Sequence, residues 1–228
     1  MISPSEGLLV DIDDTLTRFK AGSPTRSTSS LLQVFRQAGS SLAGLSDEEA
    51  ARRIEHVQKT VRWWCWDDFI RELGLDSAAF WDFAYEVERQ YLEPTEPDIA
   101  ASLGGLKALG LKLFVTSNNP NPGIRHKLRL AGVEPSEVDK LFDGLLGATA
   151  LRAMKKERTF WERAVARSGL AASVLATVGD DLNDDYETPR AAGLGFAFLV
   201  DPRRERRGGR RDGLIPVDGI GEVLRLLA

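Results

Sequence analysis

The chain has 228 residues, enough for one large α/β domain or for a core carrying a smaller inserted domain. A hydrophobic share of 43% with 28% charged residues is ordinary for a globular protein, and a formal charge of −4 gives no reason to expect nucleic acid as the main partner. No apolar run approaches the roughly 18 residues of a membrane span, residues 1–10 lack a signal peptide's basic start and long apolar core, and the single cysteine, Cys65, allows no intrachain disulfide, so the expectation is a cytoplasmic, reducing setting with no membrane partner.

Leu8-Leu9-Val10 is a short apolar run that empties into Asp11, Asp13 and Asp14. A run of that length ahead of acids and Thr reads as a buried strand opening into a loop. Carboxylates so crowded repel one another, so a positive charge belongs among them. Oxygen ligands with no His nearby favour Mg²⁺. Residues 18–30 carry Lys, Gly, Pro, Ser and Thr, as a connecting loop does. From Leu31 to about Glu93 the pattern is helical, with no convincing strand. Ser46 and Glu49 form a capping box, and Asp76-Ser77 is a second helix start. Trp63, Trp66, Phe69, Ile70 and Leu73 recur at helical spacing, as do Phe80, Phe83, Ala84, Val87 and Tyr91. A helical bundle follows, hinged at Gly22-Ser23-Pro24 and Pro94–Pro97.

Beyond Pro97 helix and strand alternate. Helices are expected at Asp98–Leu109, Ile124–Ala131, Ser136–Leu141, Glu157–Ser168, Asp184–Ala192 and Ile220–Leu227. Strands are expected at Leu111–Val115, Gly144–Ala148, Val174–Val178 and Gly195–Val200. Alternation of this kind implies a Rossmann-like α/β core, a parallel sheet covered by helices on both faces. Ligands of such sheets bind just outside the carboxyl ends of the strands. Three strands, ending at Val10, Val115 and Val178, run into polar groups of different chemistry. The domain reading is a core of 1–17 and 95–228 and an α-helical cap of 18–94.

Four motifs in this order resemble the haloacid dehalogenase superfamily, and within it the Mg²⁺-dependent, phosphatase-like members with a helical cap. They are Asp11-x-Asp13-x-Thr15, Ser117-Asn118, Lys155, and Gly179-Asp180-Asp181-x-x-x-Asp185. The resemblance implies that Asp11 attacks phosphorus and forms an aspartyl-phosphate, while Asp13 protonates the leaving oxygen and then activates water. It implies Mg²⁺ held by the Asp11 and Asp180 carboxylates and the Asp13 carbonyl. Ser117, the Asn118 backbone N–H and Lys155 then bind phosphoryl oxygens, with Thr15, Asp181 and Asp185 in support. Lys155 also keeps adjacent carboxylates ionised. Members that cleave carbon–halogen bonds have no acid two residues after the nucleophile, because halide leaves without a proton; Asp13 therefore favours phosphoryl transfer. The expected activity is hydrolysis of a small phosphorylated metabolite, with a phosphomutase as the rival of the same chemistry and a non-enzymatic binding module as the rival of another class. A monomer or homodimer suits either.

Two departures from the family pattern stand out. Lys156 replaces the Pro that commonly follows the third-motif Lys, which leaves Lys156 as an alternative to Lys155. Asp181 and Asp184 add acids to the fourth motif: Asp181 as a possible metal ligand, Asp184 as a helix-start acid. Trp63 and Trp66 share a helical face, and Trp64 lies off it. Six arginines within 203–211 read as a solvated loop, and Arg52, Arg53, Lys59 and Arg62 as a basic cap face, either solvated or turned to an anionic substrate. His56 and His126 are isolated.

Overall fold

The N-terminal apolar run forms β1 (Gly7–Val10), buried at all four residues. The computed structural model describes residues 6–23, 30–60, 66–201 and 212–228. Pro24, Arg62, Trp63, Trp64, Cys65 and the arginine run of 203–211 lie outside them. After β1 come β2 (Thr17–Phe19), α1 (Ser30–Ala43), α2 (Asp47–Thr60), α3 (Trp66–Glu72), α4 (Ser77–Glu88) and β3 (Leu92–Pro94). The alternating part follows: α5 (Ile99–Ala108), β4 (Lys112–Ser117), α6 (Asn121–Leu130), α7 (Val138–Leu141), β5 (Gly144–Gly147), α8 (Ala148–Leu151), α9 (Arg158–Ser168) and β6 (Leu175–Gly179). It closes with α10 (Thr188–Ala191), β7 (Phe196–Val200), β8 (Leu214–Val217) and α11 (Ile220–Leu227). No helix among the described residues is long and apolar enough to cross a membrane.

By its internal contacts the chain divides into two units, Met1–Arg18 with Pro94–Ala228, and Phe19–Glu93. The first is a Rossmann-like α/β unit. Its six-stranded sheet has the order β5-β4-β1-β6-β7-β8, parallel throughout. Strands buried on both faces need apolar side chains on both, which is why β1 reads as an unbroken apolar run and β6 as one interrupted only by the buried Thr177. One face packs Leu8, Val10, Leu113, Val115, Ala176 and Val178 against Leu103, Ile124, Leu128 and Val223. The other packs Leu9, Phe114 and Leu175 against Phe160 and Trp161 of α9. Each such fully buried aliphatic side chain contributes about 1.5–3 kcal/mol.

The register sets the site. Val10 is level with Val115 on one side and with Val178 on the other. The residues after each therefore emerge at the same end of the sheet.

The second unit is helical. Phe35 stacks on Phe80 with centroids 4.5 Å apart and on Phe69 at 5.1 Å, and Trp66 meets Phe35 edge-on. Asp76 caps α4 through the Ala79 N–H at 2.9 Å. The capping box on α2 is only half made. Ser46 accepts the Glu49 N–H, but the Glu49 carboxylate turns to Arg52 and Arg53 instead of back to Ser46. Two guanidiniums outcompete one amide for a carboxylate. Lys59 likewise pairs with Glu55, so the described part of the basic face is neutralised along its own helix. Two short strands also depart from expectation. β3 ends the stretch read as wholly helical, and with β2 it makes a two-stranded ribbon.

Candidate active site

Asp11 is the first residue past β1, and its N–H continues the ladder to the Val178 carbonyl. Its carboxylate is buried and faces Lys155, with Nζ 2.6 Å from Asp11 Oδ1 and 2.6 Å from Asp185 Oδ1. Thr15 Oγ1 donates to Asp11 Oδ2 at a long 3.3 Å. The loop returns through Asp14, whose left-handed φ of 56° is tolerated by Asp better than by most residues. The Asp14 N–H reaches the Thr17 carbonyl at 2.6 Å, and Thr95 Oγ1 holds the Thr15 carbonyl at 2.8 Å.

β4 delivers Ser117, Asn118 and Asn119. Ser117 Oγ accepts both the Asn119 N–H at 3.1 Å and Asn119 Nδ2 at 2.9 Å. A hydroxyl has two lone pairs and one proton. With both lone pairs engaged, Ser117 keeps its proton for an acceptor outside this turn. Asn118 Oδ1 accepts the Lys155 N–H at 2.9 Å, tying the second motif to the third. Gly147, at the end of β5, makes room for this turn, because a Cβ there would collide with the Asn119 carbonyl.

Lys155 is fixed from the other side by Trp161, whose indole N–H donates to the Lys155 carbonyl at 2.7 Å. Lys155 is buried and its neighbour Lys156 is exposed, so of the two lysines Lys155 is the one in the site.

β6 ends at Gly179, and the next turns carry the acids. The expected helix over 184–192 is instead a π-helical turn, Asn183–Glu187, followed by α10. Pro189 has no N–H for a continuous ladder, and the π turn directs Asp185 inward. Thr177 Oγ1 holds the Asp185 carbonyl at 2.5 Å, and the Asp181 N–H reaches Asp185 Oδ2 at 3.1 Å. A Cβ at Gly179 would overlap the Asp185 carboxylate, so this approach needs glycine. Asp181 turns the other way: exposed, it caps the turn by accepting the N–H groups of Asn183 and Asp184. Among the described residues Asp181 is not one of the three carboxylates that converge. Asp184 lies in the first turn of this helix and accepts from Asn183 Nδ2 at 2.8 Å.

Asp11, Asp180 and Asp185 each bring a carboxylate oxygen within 4.8 Å of the others. Burial pushes Asp11 up to about 7, with Asp185 and Asp13 adding to the rise and Lys155 opposing it. Burial likewise lifts Asp185 to about 6 against the pull of Lys155. For Lys155, burial disfavours the ammonium, but Asp11 and Asp185 outweigh it and its proton is held more tightly than usual. One ammonium among three carboxylates leaves negative charge over, and every donor is a hard oxygen. That donor set fits a hard divalent cation.

Asp13 stands apart from this trio. Its carboxylate, 43% exposed, takes Asn119 Nδ2 at 3.0 Å on Oδ2 and Lys127 Nζ at 3.4 Å on Oδ1. Neither Asn119 nor Lys127 was marked by sequence reasoning. The available signal for Lys127 was its position on α6 beside Ile124 and Leu128, a charge on the helix's buried side.

A family model for haloacid dehalogenase-like hydrolases matches residues 6–193. The chain belongs to this family. No curated protein matches it. Among solved structures it is similar to a HAD phosphatase from Thermococcus onnurineus, at 23% identity over 97% of each chain and a TM-score of 0.63. It is similar to the HAD-hydrolase YfnB from Bacillus subtilis bound to magnesium, at 13% identity over 99% of each chain and a TM-score of 0.58. L-2-haloacid dehalogenase from Xanthobacter autotrophicus aligns over 98% of each chain at 16% identity and a TM-score of 0.57. At these identities the likeness is one of fold, and it spans two chemistries.

Proposed function

We propose that this haloacid dehalogenase-like hydrolase cleaves small phosphomonoesters, using Mg²⁺ and an aspartyl-phosphate on Asp11. The observation that carries the reading is Asp13, two residues past Asp11 and held by Asn119 and Lys127. A halide leaves unaided, whereas an alkoxide needs the proton such a carboxyl supplies. The Asp11 and Asp180 carboxylates and the Asp13 carbonyl would hold the cation, which would neutralise charge on the phosphoryl oxygens. Asp11 attacks phosphorus, the bond to the ester oxygen breaks, and Asp13 gives that oxygen its proton. Water then attacks the phosphorus of the acyl phosphate, Asp13 takes the water's proton, and the bond to Asp11 breaks to release phosphate. Ser117 offers its hydroxyl proton and Asn118 its backbone N–H to phosphoryl oxygens, while Lys155 favours the anionic form of the Asp11 carboxylate against the effect of burial. Catalysis of this type rests on positioning and charge stabilisation.

The test is a paired assay: Mg²⁺-dependent phosphate release from p-nitrophenyl phosphate and from a panel of phosphorylated metabolites, beside halide release from 2-haloacids. Phosphate release lost on chelation and restored by Mg²⁺ is the expected result. Halide release without phosphate release refutes the proposal.

A further inference from the structure

We infer that Lys127 and Asn119 are positioning residues that hold the Asp13 carboxylate for proton transfer, an assignment that rests on the phosphatase reading above. An ammonium is buried at a cost unless it is paired, and the Lys127 side chain is only 8% exposed. It reaches Asp13 from α6, while Asn119 comes from the turn after β4, so two elements converge on one loop carboxylate. Asp13 lies on a loop and is itself 43% exposed; without donors it would exchange among rotamers. The two donors divide the work. Asn119 supplies a directional bond at 3.0 Å, and Lys127, at 3.4 Å, a charge that biases the orientation. Asn119 Nδ2 also contacts Ser117 Oγ, so the same amide sets the spacing between the proton donor and the phosphate-binding hydroxyl.

Misplacing a group this close to the reacting atoms costs turnover rather than binding. Leaving-group dependence separates this role from a structural one, since a p-nitrophenolate leaves without help and an alkoxide does not. Lys127→Met is expected to lower kcat on an alkyl phosphate about 10- to 100-fold, with under about 3-fold change on p-nitrophenyl phosphate and little change in KM. Lys127→Arg, which keeps the charge, is expected to recover most of the loss. In an Asp13→Asn background, Lys127→Met is expected to have no further effect on the alkyl substrate. Should Lys127→Met fail to fold by circular dichroism, Lys127→Gln removes the charge with a polar side chain and carries the same expectation. Equal losses on both substrates, or full additivity with Asp13→Asn, overturn the assignment while leaving the phosphatase reading intact. A wild-type protein inert to every phosphomonoester overturns both.

Discussion

Replacing Lys155 with Met is the sharpest perturbation of this site, because it removes the one ammonium that meets both Asp11 and Asp185 at 2.6 Å. All three groups are buried. Breaking a buried ion pair by deleting one partner costs about 3–5 kcal/mol, and for a chain of this size each kcal/mol moves Tm by about 2–4 °C. The expected fall is therefore roughly 6–20 °C in metal-free protein at pH 8. The sign with pH follows from the carboxyls. Both have folded-state values above the ordinary 3.8, Asp11 about 7 and Asp185 about 6. Such groups contribute stability that is fully present below the unfolded value and is lost as pH rises through the folded one. Without Lys155 both values climb further, so at pH 5 the carboxyls take up protons and much of the penalty disappears. Thermal melts in chelator at pH 5 and pH 8 measure this, with Lys156→Met as the exposed control expected within about 0.5 kcal/mol of wild type. A Lys155→Met protein that melts like wild type at pH 8, or loses the same amount at both pH values, refutes the charge argument.

Asp11→Asn is expected to abolish phosphate release, by at least about a thousandfold, while the fold persists in circular dichroism; turnover within tenfold of wild type removes the covalent role. Asp13→Asn is expected to slow alkyl phosphates far more than p-nitrophenyl phosphate, with a burst of p-nitrophenolate ahead of slow hydrolysis; equal losses with chemistry limiting speak against proton transfer by Asp13. Gly179→Ala is expected to cost about 1–3 kcal/mol by forcing Asp185 away, read as a lower Tm together with lost activity; an unchanged melt contradicts the close approach. Mg²⁺ is expected to raise Tm more at pH 8 than at pH 5, since protons compete for Asp11 below about 7; a pH-independent shift contradicts binding at the Asp11 carboxylate.

Much of this was legible in the sequence, because the strongest signals were apolar runs ending in chemistry. β1, β4 and β6 are buried on both faces, so they read as short apolar blocks, and each block stops where the site begins. β8 was missed for a physical reason. Leu214–Val217 contains Pro216, which argues against an interior strand, but β8 is the edge of the sheet, where a missing N–H is tolerated. The 184–192 helix was recognised as helical but not as π-turned. That detail depends on Asp185 being drawn toward Lys155, a contact 30 residues away in sequence. The half-made capping box is similar: Ser46 and Glu49 fit the pattern, and Arg52 and Arg53 then competed for the carboxylate. Lys127 carries no motif at all. Only the fold brings its ammonium to Asp13.

The chemistry of the site is held in place by residues that take no part in it. Val10, Val115 and Val178 are level across three parallel strands, so Asp11, Ser117 and Asp180 follow within one or two residues of a common line. A one-residue slip in either pairing would turn every side chain of that strand to the opposite face. Such a slip would exchange Leu8 and Val10, which pack on the α5, α6 and α11 face, with Leu9, which packs on the α9 face. The site is thus protected against misregister by the cost of exposing or misplacing core side chains, not by its own contacts. Its own contacts are in part repulsive, with several carboxylates close to one ammonium at Lys155. A sheet stabilised by its two apolar faces can carry that repulsion at its carboxyl end, and the same surplus of negative charge suits the site to a divalent cation.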